Sequence, residues 1–151
     1  MYQIIKVGDP ILREKAAEVR RFNKNLHDLL DGMLETLRSC GNGVGIAAPQ
    51  VGVSKRVVVM EIDDEVYELV NPVIVSKKGR DVDIEGCLSV PNRHGKVTRA
   101  ARVKVEAQDR FGNPYTLEAK NLVARCVQHE CDHLDGVLFI DVMSEEVEVE
   151  E

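Results

Sequence analysis

No stretch of the 151-residue chain approaches the roughly 20 consecutive apolar residues that a membrane span requires. The opening residues, Met1-Tyr2-Gln3-Ile4-Ile5-Lys6-Val7-Gly8, lack the long apolar segment of an export signal. A cytoplasmic protein with reduced thiols and no membrane partner is therefore expected. Clustered Lys and Arg, the footprint of a nucleic-acid binder, are also missing, so no direct sequence-specific nucleic acid binding is expected. The formal charge of −6 is concentrated at one end: Glu145, Glu146, Glu148, Glu150 and Glu151 hold five carboxylates, leaving −1 for the rest. Cys40, Cys87, Cys126 and Cys131 form neither a CxxC pair nor a compact secreted framework, which argues against disulfides. No repeat, low-complexity linker or composition break precedes the acidic end. The chain thus reads as one domain, 1–143, and a flexible acidic tail, 144–151.

What is present suffices for a core. Hydrophobic residues make up 44% of the chain and charged residues 30%, a globular balance. A short helical turn is expected over 10–17, with Pro10 suited to a first helical position. Leu26, Leu29, Leu30, Met33, Leu34 and Leu37 recur at three- and four-residue spacing and predict a helix over about 23–39, capped by Asn23 and stopped near Gly41 and Gly43. Strands are expected at 56–62 and 66–70, the latter broken by Asn71-Pro72. The segments 103–107 and 115–119 alternate on either side of Arg110-Phe111-Gly112-Asn113-Pro114 and predict a hairpin. A second helix is expected over about 121–134, stopping at Asp135-Gly136. Leu122, Val123, Cys126, Val127, Glu130, His133 and Leu134 share its inward arc, and Cys131 lies away from it. The fold class is α+β.

The second helix carries Gln128-His129-Glu130-Cys131-Asp132-His133, which contains H-E-x-x-H. Four residues is about one helical turn, so His129 and His133 share a face and can hold one metal ion. Glu130 is rotated about 100° from the first ligand, within reach of water on the metal but poorly placed to displace it. Such an arrangement suits a metal hydrolase, in which the ion acidifies water and the carboxylate takes its proton. The alternative is a pair of hydrogen-bonded core histidines matching the pattern by chance. A catalytic site needs a third protein ligand. Downstream, only Asp135 and Asp141 precede the acidic end; upstream, Cys87 within Glu85-Gly86-Cys87-Leu88-Ser89 is the stronger candidate. The segment Gly43-Val44-Gly45-Ile46-Ala47-Ala48-Pro49-Gln50-Val51-Gly52 fails as a phosphate loop, because no Lys-Ser/Thr follows. It is either a tight helix-to-strand connection or an edge against which a substrate backbone lies, with Gln50 offering an amide donor. His94 is expected to face solvent.

Together these segments resemble the peptide deformylase family, marked by G-x-G-x-A-A-x-Q, E-G-C-L-S and Q-H-E-x-D-H-L-x-G. They stand here, in family order, at Gly43 to Gln50, Glu85 to Ser89 and Gln128 to Gly136. The resemblance implies mostly antiparallel sheets around a central metal-binding helix in a single compact domain. It implies that Cys87, His129 and His133 bind one divalent metal and that Glu130 is the acid/base. It further implies that the Gln50 side chain and the Leu88 backbone N–H hold the developing oxyanion. The implied reaction removes the formyl group from the N-terminal methionine of nascent peptides and releases formate. The family's metal is usually Fe(II), replaced by zinc, nickel or cobalt in isolated protein; the His2Cys set alone points to zinc. Gly45 is expected at the substrate edge, with Gly43, Val44, Leu122 and Cys126 as candidates for the methionine pocket. Asn121 stands where the family commonly has Gly, a substitution that left-handed geometry tolerates. Family members often end in a basic helix that engages the ribosome, and the short acidic terminus here implies a weakened, transient contact. An ordinary H-E-x-x-H peptidase and a non-catalytic metal module are the competing readings.

Overall fold

The computed structural model describes residues 1–149. A single 3-10 turn, Pro10–Arg13, leads to helix α1, Lys24–Ser39. The turn is shorter than the helical stretch expected over 10–17, because Glu14 is already extended. Asn23 caps α1, its side chain accepting from the Leu26 N–H at 3.3 Å. The chain then forms β1 (Gly45–Ala47), a second 3-10 turn (Ala48–Val51), β2 (Val57–Ile62), β3 (Glu65–Lys78), β4 (Asp81–Cys87), β5 (Val90–Arg99), β6 (Arg102–Gln108) and β7 (Pro114–Lys120). Helices α2 (Asn121–Leu134) and α3 (Phe139–Val142) follow, and β8 (Glu145–Val147) closes the series. All strand pairs are antiparallel, in a five-stranded sheet ordered β1-β2-β3-β6-β7 and a three-stranded sheet ordered β4-β5-β8.

The run Val57-Val58-Val59-Met60 is apolar on both faces because the larger sheet is covered on both. Val57 and Val59 join Leu26, Leu30 and Met33 of α1, whereas Val58 and Met60 join Val127 and Leu134 of α2. Side-chain alternation along one strand therefore feeds two cores. Asp63 and Asp64, both at positive φ, make the two-residue turn into β3. The hairpin expected at 103–107 and 115–119 is present, with Val105 opposite Leu117.

Two expectations fail. The strand expected to end at Asn71-Pro72 continues to Lys78. Asn71 instead adopts φ 51°, the register shifts between Val70 and Val73, and the bulge absorbs the proline. Asn71 stabilises this kink by accepting from the Val19 N–H at 2.8 Å and donating to Val19 O at 2.9 Å and Gln108 Oε1 at 2.8 Å. Asn71→Ala should therefore lower unfolding free energy by about 2–4 kcal/mol, from three lost hydrogen bonds and a left-handed Cβ. Urea denaturation checks this, and an unchanged midpoint would contradict the stapling role.

The acidic end, expected to be flexible from 144, pairs instead with the smaller sheet. Glu145, Glu146 and Val147 lie opposite Lys96, Gly95 and His94. The residues that looked like surplus charge meet cations, Glu146 with Arg93 at 2.8 Å and Glu145 with Lys96 at 3.4 Å. Glu150 and Glu151 lie outside the described residues. Among the described residues no helix is long and apolar enough to cross a membrane.

Candidate active site

Helix α2 starts abruptly and stops cleanly. Asn121 takes φ 56°, the left-handed geometry that its side chain tolerates, although Lys120 rather than Asn121 occupies the cap. At the other end the Val137 N–H donates to Asp132 O at 2.9 Å and the Gly136 N–H to His133 O at 3.2 Å, a Schellman stop. Gly136 sits at φ 76°, and a Cβ there would lie 2.5 Å from Arg13 O. Between these ends every residue from Ala124 to Glu130 is buried. The helix crosses the interior with polar side chains on it, and each needs a partner.

Glu85 of β4 partners two of them, Arg125 and His129. Its Oε1 accepts from His129 Nδ1 at 2.8 Å and Arg99 Nη2 at 2.9 Å. Its Oε2 accepts from Arg99 Nε at 3.0 Å and Arg125 Nη1 at 2.6 Å. Burial alone would raise the Glu85 pKa, but the donors His129 and Arg99 outweigh it and hold the carboxyl at about 2. Arg99 also reaches Asp132 at 2.6 Å, and Gln128 closes on both backbone groups of Ala100. Accepting from Nδ1 fixes the His129 tautomer and leaves Nε2 free to ligate.

Cys87 ends β4, two residues beyond Glu85, at the tight turn into β5. Its Sγ lies 3.3 Å from His133 Nε2, and ligand atoms of Cys87, His129 and His133 all lie within 4.8 Å of one another. Tetrahedral coordination with N and S donors at about 2.0–2.3 Å separates ligands by about 3.3–3.8 Å. The three side chains thus fit one divalent ion. His129 also stacks on Phe139, ring centroids 6.2 Å apart, which restrains its ring.

Glu130 lines the same cleft and is 4% exposed, and its Oε1 has no hydrogen-bond partner among the described residues. Burial pushes its carboxyl up to about 7, suited to a group that takes and returns a proton; a cation beside it pulls that value down. Gln50, 1% exposed in the 3-10 turn after β1, is held by its Oε1, which accepts from the Ala47 N–H at 2.9 Å. Its Nε2 points to Ser89 Oγ at 3.1 Å and Cys87 Sγ at 3.6 Å. A cysteine sulfur, the His129 imidazole, an orphaned carboxylate oxygen and an amide donor converge within one cleft, with the His133 imidazole against the sulfur.

A sequence model of the polypeptide deformylases matches residues 1–148. The chain belongs to the polypeptide deformylase family. It is 55% identical over 141 residues to the peptide deformylase of Desulfitobacterium hafniense, covering 93% of each chain. The Thermotoga maritima peptide deformylase structure superposes with a TM-score of 0.93 at 41% identity, covering 95% of this chain and 98% of that one. A Met-Ala-Ser-bound class I type b deformylase from Acinetobacter baumannii gives 0.91 at 36% identity, covering 95% and 98%. Deformylase activity is metal-dependent hydrolysis of the N-formyl group of nascent polypeptides, releasing formate. The α+β fold and the Cys87, His129 and His133 metal site agree with it.

The deformylase cleft, a cavity of about 910 Å³, is lined by every further residue singled out from the sequence: Gly43, Val44, Gly45, Leu88, Leu122 and Cys126. Leu122 nevertheless departs from expectation. It is 48% exposed on the rim rather than inside the helix's core arc. Cys131 departs the other way, packing half-buried against the α2 core. His94 also lines the cleft, its ring so close to Gly86 that a Cβ there would lie 2.8 Å away. Burial keeps the Cys126 and Cys131 thiols protonated, the latter with a pKa of about 12, and all four cysteines are free. Arg99 and Arg125 were not singled out from the sequence, and Gln128 and Asp132 were quoted only as motif positions without a role. For Arg125, Gln128 and Asp132 the signal was the polar residues interleaved in an otherwise buried helix; Arg99, on β5, carried none.

Gly45 is required by contact. A Cβ there would lie 2.5 Å from Cys126 Sγ and 2.9 Å from Glu130 Oε2. Pairing with β2 holds the backbone in place, so Gly45→Ala should displace Glu130. Turnover should fall about tenfold or more with metal content unchanged. Steady-state kinetics beside metal analysis tests this, and wild-type kcat would refute the contact.

Proposed function

We propose that Glu130 is the proton carrier of deformylation and that the Gln50 amide with the Leu88 N–H receives the charge developing on the formyl oxygen. The observation that carries this reading is the Gln50 Nε2 beside Cys87 Sγ at 3.6 Å, with Glu130 lining the same cleft. A divalent ion held by Cys87, His129 and His133 would supply Lewis acidity toward water and the formyl carbonyl. Glu130 accepts a proton from the attacking water and returns it to the departing amine. The Gln50 amide cannot rotate away, because its oxygen is held by Ala47.

The substrate backbone is proposed to lie along β1. Among the described residues that strand pairs only with β2, and the Ala47 N–H is turned away from β2 toward Gln50. Alternation then puts the Gly45 backbone groups on the same free edge. Gly43, Val44, Leu122 and Cys126 are proposed to bound the methionine side chain, with the larger three supplying apolar wall.

Fe(II) is proposed as the cellular ion, with zinc, nickel or cobalt accepted by the same donors in isolated protein. Processing of nascent chains supports a cytoplasmic location. A transient ribosome contact is proposed to be weak, because Glu148 is exposed just beyond β8 and RNA phosphates repel carboxylates.

The test is formate release from N-formyl-Met-Ala-Ser by protein loaded with Ni(II), or with Fe(II) under anaerobic conditions. The choice of peptide follows the Met-Ala-Ser held by the Acinetobacter enzyme. Formate should appear while unformylated Met-Ala-Ser stays intact. No turnover at full metal occupancy, or cleavage of the unformylated peptide, overturns the reading.

A further inference from the structure

We infer that Arg125 is a positioning residue: it locks the metal-bearing helix α2 to the strand that carries Cys87, and so sets the geometry and retention of the metal. The inference rests on the deformylase reading of the Cys87, His129 and His133 site. The three ligands come from two elements, β4 and α2, which pack across the interior without a covalent link nearby. Whatever fixes the relative position of those elements fixes the site.

Arg125 precedes His129 by one helical turn and is 6% exposed. Beside the Glu85 oxygen that Arg99 also holds, its guanidinium reaches two backbone carbonyls. Nη1 donates to Glu85 Oε2 at 2.6 Å and to Val97 O at 3.0 Å, while Nη2 donates to Asp81 O at 2.8 Å and Asp81 Oδ2 at 3.3 Å. Val97 lies on β5, and Asp81 and Glu85 on β4, two strands paired to each other. One planar fork rooted on α2 therefore grips both strands through backbone carbonyls, which do not change rotamer. Glu85 is already charge-paired with Arg99 at 2.9 Å, so Arg125 is not needed to neutralise it. Its specific contribution is the span between helix and hairpin, two residues from Cys87 at one end and one turn from His129 at the other. Lysine, with a single nitrogen, cannot hold Glu85, Val97 O and Asp81 O together.

The test compares Arg125→Leu, Arg125→Lys and Arg110→Leu in the full chain. Arg110 bridges Glu68 and Asp31 away from the cleft, so it controls for the loss of a bridging arginine. Apparent affinity for Ni(II) and Co(II) is measured against a competing chelator, together with the visible spectrum of the Co(II) form, kcat and KM. Both Arg125 variants should bind metal about 10–100-fold more weakly, as when other groups supporting a metal ligand are removed. They should alter the Co(II) spectrum and lower kcat more than they raise KM. Arg110→Leu should leave affinity and spectrum unchanged. Wild-type affinity and spectrum in the folded Arg125→Lys protein overturn the inference, whether or not Arg125→Leu folds. A rise in KM alone also overturns it, because that marks direct substrate contact. Equal metal loss in Arg110→Leu overturns it as a general stability effect. Failure of this proposal leaves formate release by the wild-type protein intact, so the two readings are separable.

Discussion

Glu130→Gln should lower kcat by about 10²–10⁴-fold, the range general acid–base catalysis contributes, while the protein still binds one metal ion. Gln has nearly the volume of Glu, so the packing against Cys126 and Gly45 is retained and what disappears is the ability to take a proton. Glu130 is buried, one oxygen has no partner, and its carboxyl lies beside a glycine edge that admits nothing larger. Among the described residues no other carboxylate in the cleft is free for the task, because Glu85 is occupied by His129, Arg99 and Arg125. Single-turnover formate release beside metal quantification separates chemistry from metal loss. Near-normal turnover in Glu130→Gln would assign the proton transfer elsewhere.

Gln50→Ala should cost about 10²–10³-fold in kcat, equivalent to about 3–4 kcal/mol, the effect of removing one preorganised donor from an oxyanion site. The substitution also frees the Ala47 N–H and Ser89 Oγ, which Gln50 now joins to opposite sides of the cleft. Gln50→Glu distinguishes the two contributions. It keeps the acceptor for Ala47 but presents negative charge to the developing oxyanion, so it should be as slow as Gln50→Ala or slower. A KM effect without a kcat effect in both variants would mean that Gln50 only binds substrate.

The site was more legible than the sheets. H-E-x-x-H works as a sequence signal because helical spacing alone places His129 and His133 on one face. Cys87 was reachable because its Gly-Cys turn stands apart from the blander settings of the other three cysteines. The strand through Asn71-Pro72 was not legible, because the bulge that accommodates the proline is held by contacts from Val19 and Gln108, distant in sequence. The acidic end failed for a related reason: Glu145 and Glu146 look like solvated charge until β5 brings Lys96 and Arg93 opposite them. The strands of 81–99 are rich in charged residues, so alternation there is weak. Their polar inward residues make sense only once the buried arginine of a distant helix is in place.

The complete burial of α2 from Ala124 to Glu130 bears on how the enzyme dies with heat. A site carried on loops can melt while the body stays folded, so activity fades before structure does. Here one of the three ligands, His129, rides on that segment and a second, His133, is buried one turn beyond it, and the segment's amides have no local opening that leaves the two cores intact. Hydrogen exchange at Val127 to Glu130 should proceed only through global unfolding. Loss of catalysis and loss of fold should therefore be one event, at one temperature, and saturating metal should raise that temperature for both together.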